Sequence, residues 1–152
     1  MLFSVPAIFS ERCPAQEISE YEPIMISLNI SQIGVVDVPV FIRNQALYLP
    51  VNGLFTFLKI QNSPSPGYDS VTGFFIEKQA TYVIDRALNR IEYQGKIFDL
   101  HQGDLIRTET NLYLRSDYFG QVFGLKCDFD FSSLSAVLTS NIELPIIREM
   151  RM

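Results

Sequence analysis

The chain has little of the side-chain chemistry on which enzymes and metal sites depend. It contains one histidine, His101, and two cysteines, Cys13 and Cys127. A single histidine excludes a pair of catalytic histidines and a metal site with several histidines, and His101 stands in a Gly/Asp turn, where exposure to solvent is the usual outcome. There is no Gly-rich phosphate loop, Cys-x-x-Cys or Gly-x-Ser-x-Gly motif. The sequence therefore predicts a noncatalytic protein without a catalytic, cofactor or metal site.

Charged residues and long apolar runs are also scarce. Charged residues make up 19% of the chain, and 12 scattered basic residues against 17 acidic ones give a net charge of −5. Binding to phosphates needs clustered lysine and arginine, so this balance argues against nucleic acid as a partner. No run approaches the ~20 apolar residues that a membrane-spanning helix requires.

A repeated sequence motif is the clearest feature of the chain. Leu47-Tyr48-Leu49 and Leu112-Tyr113-Leu114 each lead into a helix-like stretch, over residues 50–60 and 115–125. An aromatic–Asp pair follows in each copy, Tyr68-Asp69 and Phe129-Asp130, with a Ser-Pro-Ser-Pro-Gly insertion in the first copy. Such a repeat indicates one structural unit used twice.

Each helix-like stretch carries an apolar face with spacing i, i+3, i+4. The faces are Leu54, Phe57 and Leu58 in the first copy and Phe119, Val122 and Phe123 in the second. We expect Asn52 and Asp117 near the helix starts as caps or early-turn polar residues, and Gly124 as a terminator.

The other segments favour strands, because the 12 Phe and 7 Tyr often stand beside Val, Ile or Thr. We therefore predict an α+β fold, mostly antiparallel β with two short helices, built from two related strand–helix–strand halves. Residues 24–140 form this domain. Residues 1–23 are a leader remnant, with a small-x-small site at Cys13-Pro14-Ala15, or a flexible tail. Residues 141–152 are a linker to a missing downstream region.

Two side-chain pairs allow a functional and a structural interpretation. Asp128 and Asp130 alternate along a strand and could serve acid–base or metal chemistry, or they could face water while Cys127, Phe129 and Phe131 face inward. Tyr48 and Tyr113 occupy matching repeat positions and could stack on a sugar, or could pack beside the helices. In both cases the structural interpretation is favoured.

The second copy, residues 111–130, resembles the strand–helix–strand unit of copper amine oxidase N-terminal-like domains, which implies a noncatalytic envelope module without copper or quinone chemistry. The span from Ile24 to Arg151 is more specifically similar to the periplasmic N-terminal region of usher-like outer-membrane proteins. The matching elements are Leu47-Tyr-Leu-Pro50, Gly73-Phe-Phe-Ile76, Tyr82-Val-Ile-Asp85, Leu112-Tyr-Leu-Arg115, and Leu144-Pro145 followed by Arg148-Glu149.

This resemblance implies a periplasmic domain that engages secreted subunits or their chaperone, followed in the parent chain by a β-barrel. Binding of such a protein or extended peptide would use an exposed strand edge or the tail, with Leu144, Pro145, Ile146 and Ile147 as the candidate residues. The alternative is a cell-wall or glycan-binding module, which requires exposed rings at Tyr48 and Tyr113.

Overall fold

The computed structural model describes residues 22–150, so the predicted leader, including Cys13, lies almost wholly outside the described residues. This part of the chain forms twelve strands and three short helices. In chain order they are β1 Ile24–Ile30, β2 Gly34–Arg43, β3 Ala46–Pro50, α1 Val51–Phe57, β4 Gln61–Pro64, β5 Ser70–Phe74, β6 Thr81–Asp85, β7 Arg90–Tyr93, β8 Lys96–Asp99, β9 Leu105–Arg107, β10 Leu112–Arg115, α2 Ser116–Phe123, β11 Leu125–Asp130, β12 Ser135–Ser140 and α3 Pro145–Met150.

The strands form two sheets around one main core. A seven-stranded sheet has the order β11-β12-β1-β2-β3-β10-β9, and a five-stranded sheet runs β4-β5-β6-β7-β8. Among the described pairings, β1 with β12 is parallel and the others are antiparallel. The predicted α+β class with mostly antiparallel strands is confirmed, with three helices where two were expected.

The two Leu-Tyr-Leu segments pair directly with each other in the large sheet, one strand in from the β9 edge. Leu49 lies opposite Leu114, and Tyr48 lies opposite Arg115. Because Leu49 and Leu114 are equivalent repeat positions, this antiparallel register is symmetric about their pair. The flanking strands follow the same relation, with β2 beside β3 and β9 beside β10. The repeat is therefore a pair of strand–helix units related by a local pseudo-twofold axis.

The insertion expected in the first copy is absent, because the separation of the two copies stays at 65 positions. Asn62 pairs with Gly73 between β4 and β5, and Cys127 pairs with Leu138 between β11 and β12. Each of these residues differs from its counterpart by the same 65 positions that separate Leu49 from Leu114. The predicted equivalence of the two aromatic–Asp pairs was wrong, because these similar residues occupy different positions in their hairpins. Ser63 and Pro64, which were expected in the insertion, belong to β4.

Both repeat helices pack on the main core, but the first uses a different face from the predicted one. Phe119, Val122 and Phe123 are buried as expected. In α1, Leu54 and Phe55 are buried together with the following Leu58, whereas Phe57 is 38% exposed. The prediction of Phe57 as a core residue was wrong, and Phe55 takes its place.

The start of α1 is hydrogen-bonded to residues of the second repeat. Neither repeat helix has a side-chain cap from its own preceding residue. The Gly53 N–H donates to Asn111 Oδ1 (3.2 Å), and the Leu112 N–H donates to Asn52 Oδ1 (3.1 Å). Asn52 therefore anchors β10 instead of capping its own helix, and Asn111 satisfies one of the free N–H groups of α1. Gly124 ends α2 in the left-handed conformation (φ 76°), as expected.

The predicted linker is wrong from Pro145 to Met150, where the chain forms α3. The Ile147 N–H donates to Leu144 O (3.0 Å), and Ile146 and Ile147 pack against the main core. A helix of six residues has little stability alone, so its formation depends on this contact with the core, which sequence periodicity does not reveal.

Candidate functional site

The four predicted partner-binding residues do not share one exposed surface. Leu144 is a buried member of the core, and Pro145, Ile146 and Ile147 are half-buried in the first turn of α3. Leu144 and Ile147 help to line a small pocket of about 270 Å³ at the ends of β1 and β12. Leu144 is consequently not available as a contact surface in this conformation, and binding by the other three stays a prediction.

The tyrosine pair lies inside the protein. Tyr48 is 5% exposed and Tyr113 is 2% exposed, and both belong to a second apolar cluster with Phe41, Ala46 and Ile106. This cluster lies on the sheet face opposite the leucines of the same strands, because side chains alternate along a strand. The Phe41 and Tyr113 rings meet edge to face, with 4.6 Å between centroids. Buried rings cannot stack on a sugar, so the glycan-binding alternative loses the feature that supported it.

The acidic pair on β11 faces solvent. Asp128 and Asp130 are exposed, while Cys127 and Phe129 are half-buried against the core. Phe131 is 45% exposed, so its predicted inward position is wrong, because β11 ends at Asp130 and Phe131 lies in the hairpin turn. Hydrogen bonds from the Ser132 side chain and backbone lower the pKa of the exposed Asp130.

The environment of Cys127 disfavours its thiolate. Burial is the main cause that raises the pKa of Cys127 from 9.0 to about 12, and the charges of Asp128 and Asp117 add to it. A thiol with this pKa is almost fully protonated at neutral pH, and the thiolate is the nucleophilic form. The structure therefore gives no support to a nucleophilic role for Cys127.

Cys127 should react slowly with iodoacetamide. In a Cys13→Ser chain at pH 8, we expect alkylation on the order of a thousandfold slower than for a free cysteine, because the thiolate fraction is lower by about that factor. Mass spectrometry of timed samples measures the rate, and the same chain in concentrated urea provides the unfolded reference. Native and unfolded chains reacting at equal rates would contradict the raised pKa.

One carboxylate, Asp104, is buried among polar partners. It is 3% exposed, and its Oδ2 accepts hydrogen bonds from Tyr118 Oη (2.6 Å) and the His101 N–H (2.8 Å). Arg115 Nη1 lies 3.9 Å from its Oδ1, and the His101 ring, which is exposed, lies 3.6 Å from its Oδ2. Burial, followed by the Asp104 hydrogen bond and charge, raises the pKa of Tyr118 to about 12.

The Asp104 cluster has the geometry of an anchor. Asp104 also bonds through its backbone, since its carbonyl accepts from the Arg115 N–H (3.0 Å). One residue thus joins the turn before β9, the end of β10 and the first turn of α2. A tyrosine whose pKa is raised holds its proton near neutral pH, so this group is not poised as a base.

β11 is, with six residues, the longest outer strand of the two described sheets. Leu138 O accepts from the Ser31 N–H of the neighbouring strand β1 (3.0 Å), so the backbone groups of Val137 and Thr139 face β11 instead. Their partners are Asp128 and Lys126. By alternation, the N–H and C=O groups of Cys127 and Phe129 point away from the sheet, where a further strand could pair. Leu125 has the same orientation but is 0% exposed, because α2 lies beside it, with the Cβ position of Gly120 3.7 Å from Leu125 O.

Within residues 22–150, no group of three or more His, Cys, Asp or Glu side chains is arranged to hold a metal ion. None of the described helices is both long enough and apolar enough to cross a membrane. Comparison with family models, curated proteins and solved structures finds no match to this chain.

Proposed function

We propose that this chain is a noncatalytic, periplasmic protein-binding domain of an usher-like outer-membrane assembly protein. Its β11 edge would pair with an extended segment of a secreted subunit or of the subunit's chaperone. The observation that carries this proposal is the outer position of β11, with outward-facing backbone groups at Cys127 and Phe129. The class of partner is an expectation that rests on the sequence resemblance of residues 24–151 to usher-like proteins.

The side chains of β11 also suit strand addition. Cys127 and Phe129 are only half-buried, although they point toward the core side of the sheet. Phe129 contacts Phe131 edge to face, with 4.5 Å between ring centroids, and leaves an apolar strip along the edge. A paired strand would cover this strip while satisfying the backbone groups, which is how strand addition obtains both affinity and specificity.

The other three outer strands are less suitable for this mode of pairing. β4 contains Pro64, which lacks an N–H donor, and β8 has charged residues at both ends, Lys96 and Asp99. β9 has three residues. β11 has exposed charges as well, at Lys126, Asp128 and Asp130, but these lie on the outer face and leave the inner apolar strip intact.

A charge on the inner side of β11 should prevent strand addition. We expect Phe129→Lys to weaken binding of a purified chaperone–subunit complex at least tenfold, because an inward-pointing charge blocks edge pairing. Asp128→Lys is the control, since it introduces a lysine at the adjacent, outward-facing position. Calorimetric titration of the full chain measures both affinities, and thermal unfolding verifies that each variant is folded.

Hydrogen exchange gives a second readout of the same contact. Binding should slow exchange of the Cys127 and Phe129 amides, which point away from β12. Unchanged affinity for folded Phe129→Lys, together with unchanged exchange at these amides, would refute β11 as the binding edge. A complex that fails to bind the wild-type chain at all would refute the assignment to this class of partner.

A further inference from the structure

A large cleft lies at the opposite edge of the seven-stranded sheet. Its volume is about 1280 Å³, and the outer strand β9 forms one wall. The other wall comes from two loops of the small sheet, around Gly67-Tyr68 and Arg86-Ala87. This volume exceeds the roughly 300–1,000 Å³ of typical small-molecule pockets, so the cleft has room for a ligand as large as a peptide segment.

Arginine side chains are concentrated in this cleft. Arg43, Arg86 and Arg107 line it together with Glu109. Asp69 lies between two of the arginines, with its Oδ1 3.4 Å from Arg86 Nη1 and 3.8 Å from Arg107 Nε. These three guanidinium groups share one site on a chain whose net charge is −5. Clustered guanidinium groups favour an anionic ligand.

The arginines retain capacity for a further carboxylate. The contacts of Asp69 are long for charge-assisted hydrogen bonds, which are usually about 2.7–2.9 Å. Arg86 and Arg107 are both exposed, and each guanidinium carries five N–H donors. Arg107 Nη1 also donates to Gly67 O at 3.4 Å, which holds its guanidinium across the cleft.

The backbone of β9 presents hydrogen-bonding groups to the same cleft. The Thr108 N–H donates to Asn111 O (2.9 Å), and the Arg115 N–H donates to Asp104 O (3.0 Å), so residues 104 and 108 face β10. In an antiparallel ladder these groups alternate. The N–H and C=O groups of Leu105 and Arg107 therefore point away from β10, and both residues line the cleft.

We propose that this cleft binds an acidic, extended peptide segment, which pairs with the edge of β9 and places its carboxylates on Arg86 and Arg107. β9 supplies both the backbone pairing and a partner for a carboxylate, because Arg107 offers its outward-facing backbone groups and its guanidinium together. Tyr68, half-buried in the facing loop, supplies an aromatic surface for the peptide. The proposal adds a second, charge-selective site to the proposed peptide-binding function, and its test does not involve β11.

A labelled hexapeptide tests the proposal on the full chain. We expect fluorescein-labelled Glu-Val-Glu-Val-Glu-Val to bind, detected by fluorescence anisotropy, and the Lys-Val counterpart to bind at least tenfold more weakly. Arg86→Gln and Arg107→Gln should each weaken the acidic peptide about tenfold, since each removes a charge-assisted contact. The matched controls are Lys59→Gln and Lys78→Gln, which remove the same charge from exposed positions outside the cleft and should leave binding unchanged.

Three results would overturn the proposal. The first is absence of binding by the acidic peptide, and the second is equal binding of the acidic and basic peptides. The third is complete competition by inorganic phosphate at millimolar concentration without slower exchange at the Leu105 and Arg107 amides, which would indicate a simple anion site. Slower exchange at these two amides with the acidic peptide supports pairing with β9. Phe129→Lys should not change this binding, so failure here and failure of the proposed β11 contact are separable.

Discussion

Phe55→Ala should lower the free energy of unfolding by about 3–5 kcal/mol, the usual cost of removing a fully buried phenylalanine side chain. Phe55 lies at the centre of the aromatic core. Its ring contacts Tyr82, Phe119 and Phe123 edge to face, with centroids 5.5–6.0 Å apart, and lies 6.0 Å from Phe75. These partners come from the small sheet, from α2 and from the segment after β5, so the cavity would loosen contacts between three parts of the fold. Urea unfolding followed by far-ultraviolet circular dichroism measures the change.

Phe57→Ala is the matched control, because it makes the same substitution two positions away on the same helix. Its side chain is 38% exposed and belongs to neither apolar cluster. We expect a loss below about 1 kcal/mol, typical of surface positions. If Phe57→Ala costs as much as Phe55→Ala, the rotation of α1 in the structure is wrong and the face expected from the sequence is right.

Sequence periodicity does not determine whether Phe55 or Phe57 is the buried phenylalanine of α1. Both residues flank the buried line of Leu54 and Leu58, and seven helical residues are too few to fix the rotation of a helix. The repeat favours Phe57, because its counterpart Val122 has the same place in the i, i+3, i+4 spacing of the second copy. The counterpart of Phe55 is Gly120, whose Cβ position would lie 3.5 Å from Lys126 Cα. The two copies thus differ at this position, because α1 buries the large side chain of Phe55, whereas the glycine in α2 allows a close approach to β11.

Strands and hairpins were predicted more reliably than contacts between distant segments. The alternation of Ile24, Ile26, Leu28 and Ile30 correctly predicts β1, and Gln94-Gly95 correctly predicts the turn between β7 and β8. These signals are local. The pairing of Asn111 with α1 joins residues 58 positions apart, and the contact of Arg107 with Gly67 joins residues 40 apart. No local pattern in a single sequence encodes such contacts, so the arginine cleft was not predicted.

The candidate partner residues illustrate the same limit. Leu144 to Ile147 form an apolar run in a segment without other signals, which predicts a binding segment. The run is apolar because it packs on the core beside β1 and β12, which a sequence cannot distinguish from an exposed binding segment. The β11 edge was equally hidden, since the strand was predicted but its outer position depends on the parallel pairing of β1 with β12.

Asp104→Ala should lower the free energy of unfolding by about 3–5 kcal/mol. The substitution removes two short hydrogen bonds to a charged acceptor, each typically worth 1.5–3 kcal/mol, and leaves the His101 N–H and the Tyr118 hydroxyl without this partner. Part of the loss is offset because a buried carboxylate no longer has to be desolvated. Urea unfolding at pH 7 measures the effect.

Asp117→Ala supplies the control for charge, since Asp117 also contacts Arg115 (Oδ2 to Nε, 3.1 Å) but is exposed. An exposed ion pair contributes about 1 kcal/mol or less, so this variant should remain close to wild type. The Tyr118 pKa gives an independent readout through its absorbance near 295 nm, with Tyr118→Phe identifying its signal. In Asp104→Ala this pKa should fall from about 12 but stay above 10.0, because burial is its largest cause and the Asp104 bond is the next. An unchanged Tyr118 pKa together with wild-type stability would show that Asp104 is not an anchor, and the buried carboxylate would then require a functional explanation.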